Sequence, residues 1–156
     1  LIVSNAAIHH FDMLILNIST AFLKSVSSNM INNMMADVGM PPLDEERRAY
    51  VRVPENVWFH LKALHPRVFD IGYNLYYVLE LLKGMYGLND APLLWQICLR
   101  HFFVFDCDAK VSVLDDNAYQ WRYSRELQGE ASVHVDDCLF TGFQHHLSWL
   151  IFKIEK

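Results

Sequence analysis

The sequence predicts an α+β domain in which an antiparallel sheet, carrying an Asp-Asp hairpin, is backed by helices on one face. Three observations predict it. Residues 131–142 place two apolar, β-branched runs on either side of Asp136 and Asp137, the pattern of a tight hairpin. His10 to Ile18 is almost wholly apolar and reads as a buried strand. Asp90 to Phe105 and Gln144 to Lys156 carry apolar residues at helical spacing.

The remaining elements follow in order. Asn17 breaks the first apolar run near its end, and Phe22 follows five residues later between Ala21 and Leu23, where a core phenylalanine is the plain reading. Residues 25–41 mix polar turn formers with four of the six methionines. Four-residue spacing there permits an amphipathic helix with Met30, Met34 and Val38 on one face. Asp44 to Arg48 is a solvated charge cluster, and Tyr50 to Val53 a short strand. Trp58 to Phe69 is mixed, with Pro66 marking a loop. Asn74 to Leu82 reads as a strand buried on both sides. Gly84 and Gly87 bracket a turn, where a missing side chain permits positive φ or the close approach of another segment.

Asp90 is placed as an N-cap acceptor, with Pro92 in the first turn where its missing N–H costs nothing. Trp95, Leu99 and Phe102 then form the inner face of that helix. Asn117 to Tyr123 is a polar-led strand, and Gly129 is expected to turn the chain into the strand Ser132–Val135. In the last helix Leu147, Leu150, Ile151 and Ile154 share a face.

Composition bounds the function. The 156 residues suit one domain that buries about two-thirds of its unfolded surface. A hydrophobic content of 53% with 13% aromatics argues against disorder. Net charge is −5, and Arg47-Arg48 is the only adjacent basic pair, which argues against tight nucleic-acid binding by this domain alone. Cys98, Cys107 and Cys138 form no CxxC and fit small buried hydrophobes in a reducing compartment. The adjacent pairs His9-His10 and His145-His146 point their rings apart and do not chelate. No signal peptide or membrane-length apolar run is visible, so an intracellular place, cytoplasm or nucleus, and no membrane partner are expected. The chain opens on Leu1 and reads as part of a longer product.

Asp136 and Asp137 admit two readings. Asp suits turn geometry and needs no function at a hairpin tip. Alternatively, two carboxylates on a rigid turn form part of a divalent-metal site of the kind that serves phosphoryl transfer. Three blocks bear on the choice. His134-Val135-Asp136-Asp137 follows a hydrophobic strand. Leu82-Lys83-Gly84-Met85-Tyr86-Gly87-Leu88 runs into Ala91-Pro92-Leu93-Leu94-Trp95. Asn17-Ile18-Ser19-Thr20-Ala21-Phe22-Leu23 precedes both. Together, and in this order, they resemble the reverse transcriptases of copia-type retrotransposons.

The resemblance implies a reverse-transcriptase palm-like layer over residues 1–156, partial, with most of the fingers, the thumb and RNase H absent and a probable insertion at 25–41. It implies RNA-directed DNA polymerase activity on an RNA or DNA template-primer with deoxynucleotides, as one piece of a Pol polyprotein. Asp136 and Asp137 would be the metal-binding catalytic aspartates for Mg2+ or Mn2+. Phe22 would sit under the nucleotide sugar, with Gly87 and Asp90 beside the nucleotide. Asn17 stands where the family carries its first metal-binding Asp. An amide offers one neutral oxygen where a carboxylate offers two and a charge, so metal affinity should fall and catalysis should be lost or nearly so. Basic residues usual at Asn89 and Leu93 are also missing. A non-catalytic remnant, acting as an interaction module or without function, is the alternative.

Overall fold

The computed structural model describes residues 1–43 and 48–155. The charge cluster expected at 44–48 therefore falls almost wholly outside the described residues. Seven strands are described: β1 (Asp12–Asn17), β2 (Ala49–Arg52), β3 (Val78–Leu81), β4 (Lys110–Val111), β5 (Ala118–Tyr123), β6 (Glu126–His134) and β7 (Asp137–Gly142). Five α-helices accompany them: α1 (Ile2–His9), α2 (Ser28–Asp37), α3 (Glu55–Leu64), α4 (Ala91–His101) and α5 (Gln144–Ile154). The fold is mixed α and β, built on an antiparallel five-stranded sheet in the order β1-β7-β6-β5-β4, with β2 and β3 forming a separate pair.

Strand alternation sorts the main sheet into two faces. On the inner face Tyr119, Trp121, Ala131, Cys138 and Phe140 meet Trp95, Leu99 and Phe103 from α4 and its π-helical continuation Phe102–Asp106, and Leu147 and Leu150 from α5. The rings of Phe103, Tyr119, Trp121 and Phe140 pack at 4.8–6.0 Å, in the tilted and edge-on geometries that aromatic quadrupoles favour. This core confirms Trp95 and Leu99 of α4 and Leu147 and Leu150 of α5 as inner residues, with the half-buried Phe102 and Ile154 at its margin; Ile151 is half-buried but does not join it.

The outer face differs from expectation. α1 lies against it: Asn5 hydrogen-bonds Glu130 of β6, and Ala6 packs with Phe11 and Leu127. Helices therefore flank both faces, not one. The low polarity of residues 2–9 did not announce a helix, because its seal on the sheet is a tertiary contact.

Four other expectations are corrected. The apolar run at 10–18 forms an edge strand: β1 pairs only with β7, and Met13 and Ile15 on the outer face are 53% and 72% exposed. Its inward residues Leu14 and Leu16 do pack on the core. The strand expected over 74–82 shortens to β3, an exposed partner of β2, with Tyr76 78% exposed. Trp58 of α3 gathers Val53 and Phe69 beneath that small sheet, which is where the aromatics of this region are spent. Gly129 does not turn the chain. The turn falls at Ser124 and Arg125, both at positive φ, and Gly129 lies within β6, where an added Cβ would come 2.5 Å from His146 Cδ2. Finally, the helix within 25–41 exists as α2, but Ile31 and Met35 are its buried residues, against Leu94 and Ile97 of α4, while Met30 is exposed. The four-residue spacing was right and its phase was off by one position.

Candidate functional site

The hairpin between β6 and β7 is closed by the cross-strand pair His134 and Asp137, leaving Val135 and Asp136 as a two-residue loop. Val135 has φ 56°, a conformation costing a β-branched residue about 1–3 kcal/mol unless the surroundings hold it. Two contacts hold it here. Trp95 Nε1 of α4 donates to the Val135 carbonyl at 2.6 Å, and the Ile18 N–H donates to the Asp136 carbonyl at 2.8 Å. The first reaches the loop from beneath the sheet, the second from the neighbouring edge strand.

The same register brings Asn17 directly opposite Asp137. Asn17 Nδ2 donates to Asp137 Oδ1 at 2.9 Å. The nitrogen must be the group facing Asp137, because an ionised carboxylate can only accept. The three positions singled out in the sequence, 17, 136 and 137, thus adjoin at one end of the sheet. Asp137 is exposed and Asp136 half-buried.

This arrangement does not fit a two-metal site. The amide presents N–H to the carboxylate where a second carboxylate would present charge to a cation, and it occupies one Asp137 oxygen. Among the described residues no three His, Cys, Asp or Glu side chains converge on a point that could hold a metal. Nor does Cys138, just below, supply a thiolate. Burial pushes its thiol up to about 12, and the charges of Asp137 and Asp136 push the same way. It stays protonated and acts as a buried hydrophobe, as expected from the sequence. All three cysteines are free.

The second cluster of expected residues lies at the start of α4. Gly84 and Gly87 each use one of the two freedoms expected of them. Gly87 sits at φ +94°. Gly84 is a close approach: a Cβ there would come 2.9 Å from Ser25 Oγ, 3.2 Å from the Phe22 carbonyl and 3.5 Å from Ala91 Cα. Ser25 Oγ accepts from the Gly84 N–H and donates to the Phe22 carbonyl, so this buried hydroxyl ties the 3₁₀ turn Ala21–Lys24 to the glycine turn. Phe22 is half-buried, its ring 4.6 Å from that of Tyr86. Asp90 stands at the N-cap position, yet its side chain makes no capping hydrogen bond. Its backbone is already helical (φ −96°, ψ −9°), which denies the carboxylate the extended geometry a cap requires. Its carbonyl accepts the Leu94 N–H instead.

Sequence reasoning missed the tethering roles of Trp95 and Ser25. Trp95 was read only as core, which its burial supports, but its indole N–H also needed a partner. No described helix is long and apolar enough to cross a membrane. No protein-family model, curated protein or solved structure matches the chain.

Proposed function

We propose that the chain is the reverse-transcriptase domain of a copia-type retrotransposon polyprotein, an RNA-directed DNA polymerase by descent whose catalysis is disabled at Asn17. Its partners on this reading are a template-primer, deoxynucleotides and the rest of the polyprotein. The observation that supports it is the joining of the three resembling blocks, far apart in sequence, at one end of the sheet. Asn17 bonds Asp137 across 120 positions, and Trp95 bonds the hairpin loop across 40. A hairpin that merely tolerates aspartate at its tip needs neither tether.

In this chain the residues do less than the family chemistry asks. Trp95 and Ile18 fix the loop, Phe22 and Tyr86 form an aromatic step beside the glycine turn, and Asn17 donates one hydrogen bond to Asp137 where the family would place a second negative charge. That neutral amide in place of a charge favours a second reading, a non-catalytic remnant retained as an interaction module. A manganese-binding titration on the parent, Asn17→Asp and Asp136→Asn decides the matter. Asn17→Asp should bind at least about tenfold tighter than the parent, and Asp136→Asn should abolish binding, since hard cations select anionic oxygen. Equal, weak binding by all three would leave Asp136 and Asp137 as turn formers only.

A further inference from the structure

The outer face of the sheet, away from the hairpin, carries a cavity that α1 covers in part. A cavity of about 500 Å3 lies between the start of α1 and strands β5–β7. Its walls are apolar, from Ile2, Val3, Leu114 and Leu139, with the small hydroxyls of Ser112 and Ser132 between them. That volume is within the range of small-molecule sites, about 300–1,000 Å3. Glu130 lines it, and the residue is only 2% exposed.

A carboxylate buried so deeply is ordinarily paired with a cation. Among the described residues no Lys, Arg or His forms an ion pair with Glu130. Its hydrogen bonds all come from neutral amides: Asn5 Nδ2 to Oε1 at 3.1 Å and to Oε2 at 2.9 Å, and Gln120 Nε2 to Oε1 at 2.8 Å. A carboxylate offers about four lone-pair directions, two on each oxygen. Oε1 is filled by two donors and Oε2 receives one, so Oε2 retains room for a further donor. Directly opposite Glu130 in the ladder, the fully buried Thr141 hydroxyl also lacks a partner among the described residues. Glu130 thus keeps capacity for one more donor in the cavity, and the neighbouring Thr141 hydroxyl, which does not line it, is a second polar group of this face left without a protein partner among the described residues.

We infer that the cavity binds an organic cation, a primary ammonium on an aliphatic tail, with the ammonium on Glu130 Oε2 and the tail along Ile2, Val3 and Leu139. The chemistry excludes a hard metal ion. Such ions want several oxygen ligands, and the amides here turn N–H groups toward Glu130, the buried one of the two carboxylates lining the cavity, while Asp115 is exposed. The apolar walls favour the alkyl tail by ordinary hydrophobic burial.

The test uses thermal melting of the whole chain with n-pentylammonium as probe and n-pentanol as its neutral isostere. The ammonium should raise the melting midpoint by about 4 °C at saturating concentration, as a ligand specific to the folded state does. Pentanol should do so by less than a quarter of that. Glu130→Gln keeps the shape of the site and should lose the response to the ammonium. Val3→Trp, at an exposed position on the cavity wall, should lose it by filling the space and serves as control if Glu130→Gln does not fold. Equal responses to amine and alcohol, or a response that survives Val3→Trp, would overturn the inference. Neither result bears on the metal titration at Asn17, which is read on the other site.

Discussion

The two faces of the main sheet obey different physics. On the inner face, residues such as Phe140 and Tyr119 are sealed by α4 and α5, and almost every group there is apolar or, like Trp121 Nε1, bonded to a backbone carbonyl. On the outer face, α1 covers only part of the sheet. What it covers includes Glu130 and Thr141, and what it leaves open includes Met13 and Ile15. The inner face is where stability resides, through close packing that tolerates no missing methylene. The outer face is where unmatched polar groups and exposed edges persist, and such mismatches are more often kept for binding than for folding. The hairpin loop straddles both: Trp95 grips it from the inner side, and Asn17 meets Asp137 on the outer one.

The widest gap between the faces should appear on truncation. Phe140→Ala removes a ring with no exposed surface and should cost about 3–5 kcal/mol in denaturant unfolding. Ile15→Ala, at a position 72% exposed, should stay within about 0.5 kcal/mol. Comparable losses at both positions would erase the distinction between the faces.

Acid should expose a weakness inside the tight face. His146 of α5 is buried beside Trp121 and Trp149, beneath Gly129 and Gly142, and its Nε2 has no partner among the described residues. Burial, with a smaller contribution from the neighbouring His145, lowers its pKa to about 4. The folded state thus holds a neutral ring where the unfolded chain protonates near the ordinary value of about 6.5. Stability is complete above that value and is lost progressively as pH falls from about 6.5 toward 4. His146→Phe should flatten this part of the stability–pH curve, measured by urea unfolding at successive pH values. An unchanged slope in the variant would assign the acid sensitivity to carboxylates instead.

A finer probe is the loop that joins the faces. Trp95→Phe keeps an aromatic ring in the core and deletes the bond to Val135, and should cost about 1 kcal/mol for that bond plus the packing lost with the smaller ring. Amide exchange should accelerate selectively around Val135–Asp137, because the strained loop would lose one of its two tethers. Uniform acceleration through β5–β7 would mean that Trp95 matters as core and not as a tether.

The local signals were legible for direct reasons. Alternation and the Asp pair located the β6–β7 hairpin, and apolar periodicity located α4 and α5 with their inner faces. Gly84 and Gly87 were recognised as backbone requirements before the structure divided the two reasons between them. The resemblance of the three blocks to a known family pointed to positions 17, 136 and 137, and the β1–β7 register sets Asn17 directly beside Asp137.

Other features had no local signature. The apolarity of 10–18 could not distinguish an edge strand from a central one, since β1 hides Leu14 and Leu16 while exposing Met13 and Ile15. The aromatic run at 74–82 looked like core because its partner Trp58 lies distant in sequence. The phase of α2 depended on where α4 offered Leu94 and Ile97. Periodicity and alternation by themselves determined the strands β1, β6 and β7 and the helices α4 and α5, because these depend on residues a few positions apart. Only the tertiary structure decided that the Asn17 amide bonds Asp137, that Trp95 holds the loop, and that Glu130 is buried at a cavity with amide donors from Asn5 and Gln120. All but the Gln120 contact join residues 40 to 125 positions apart, and no local pattern encodes a pairing that the whole fold must assemble.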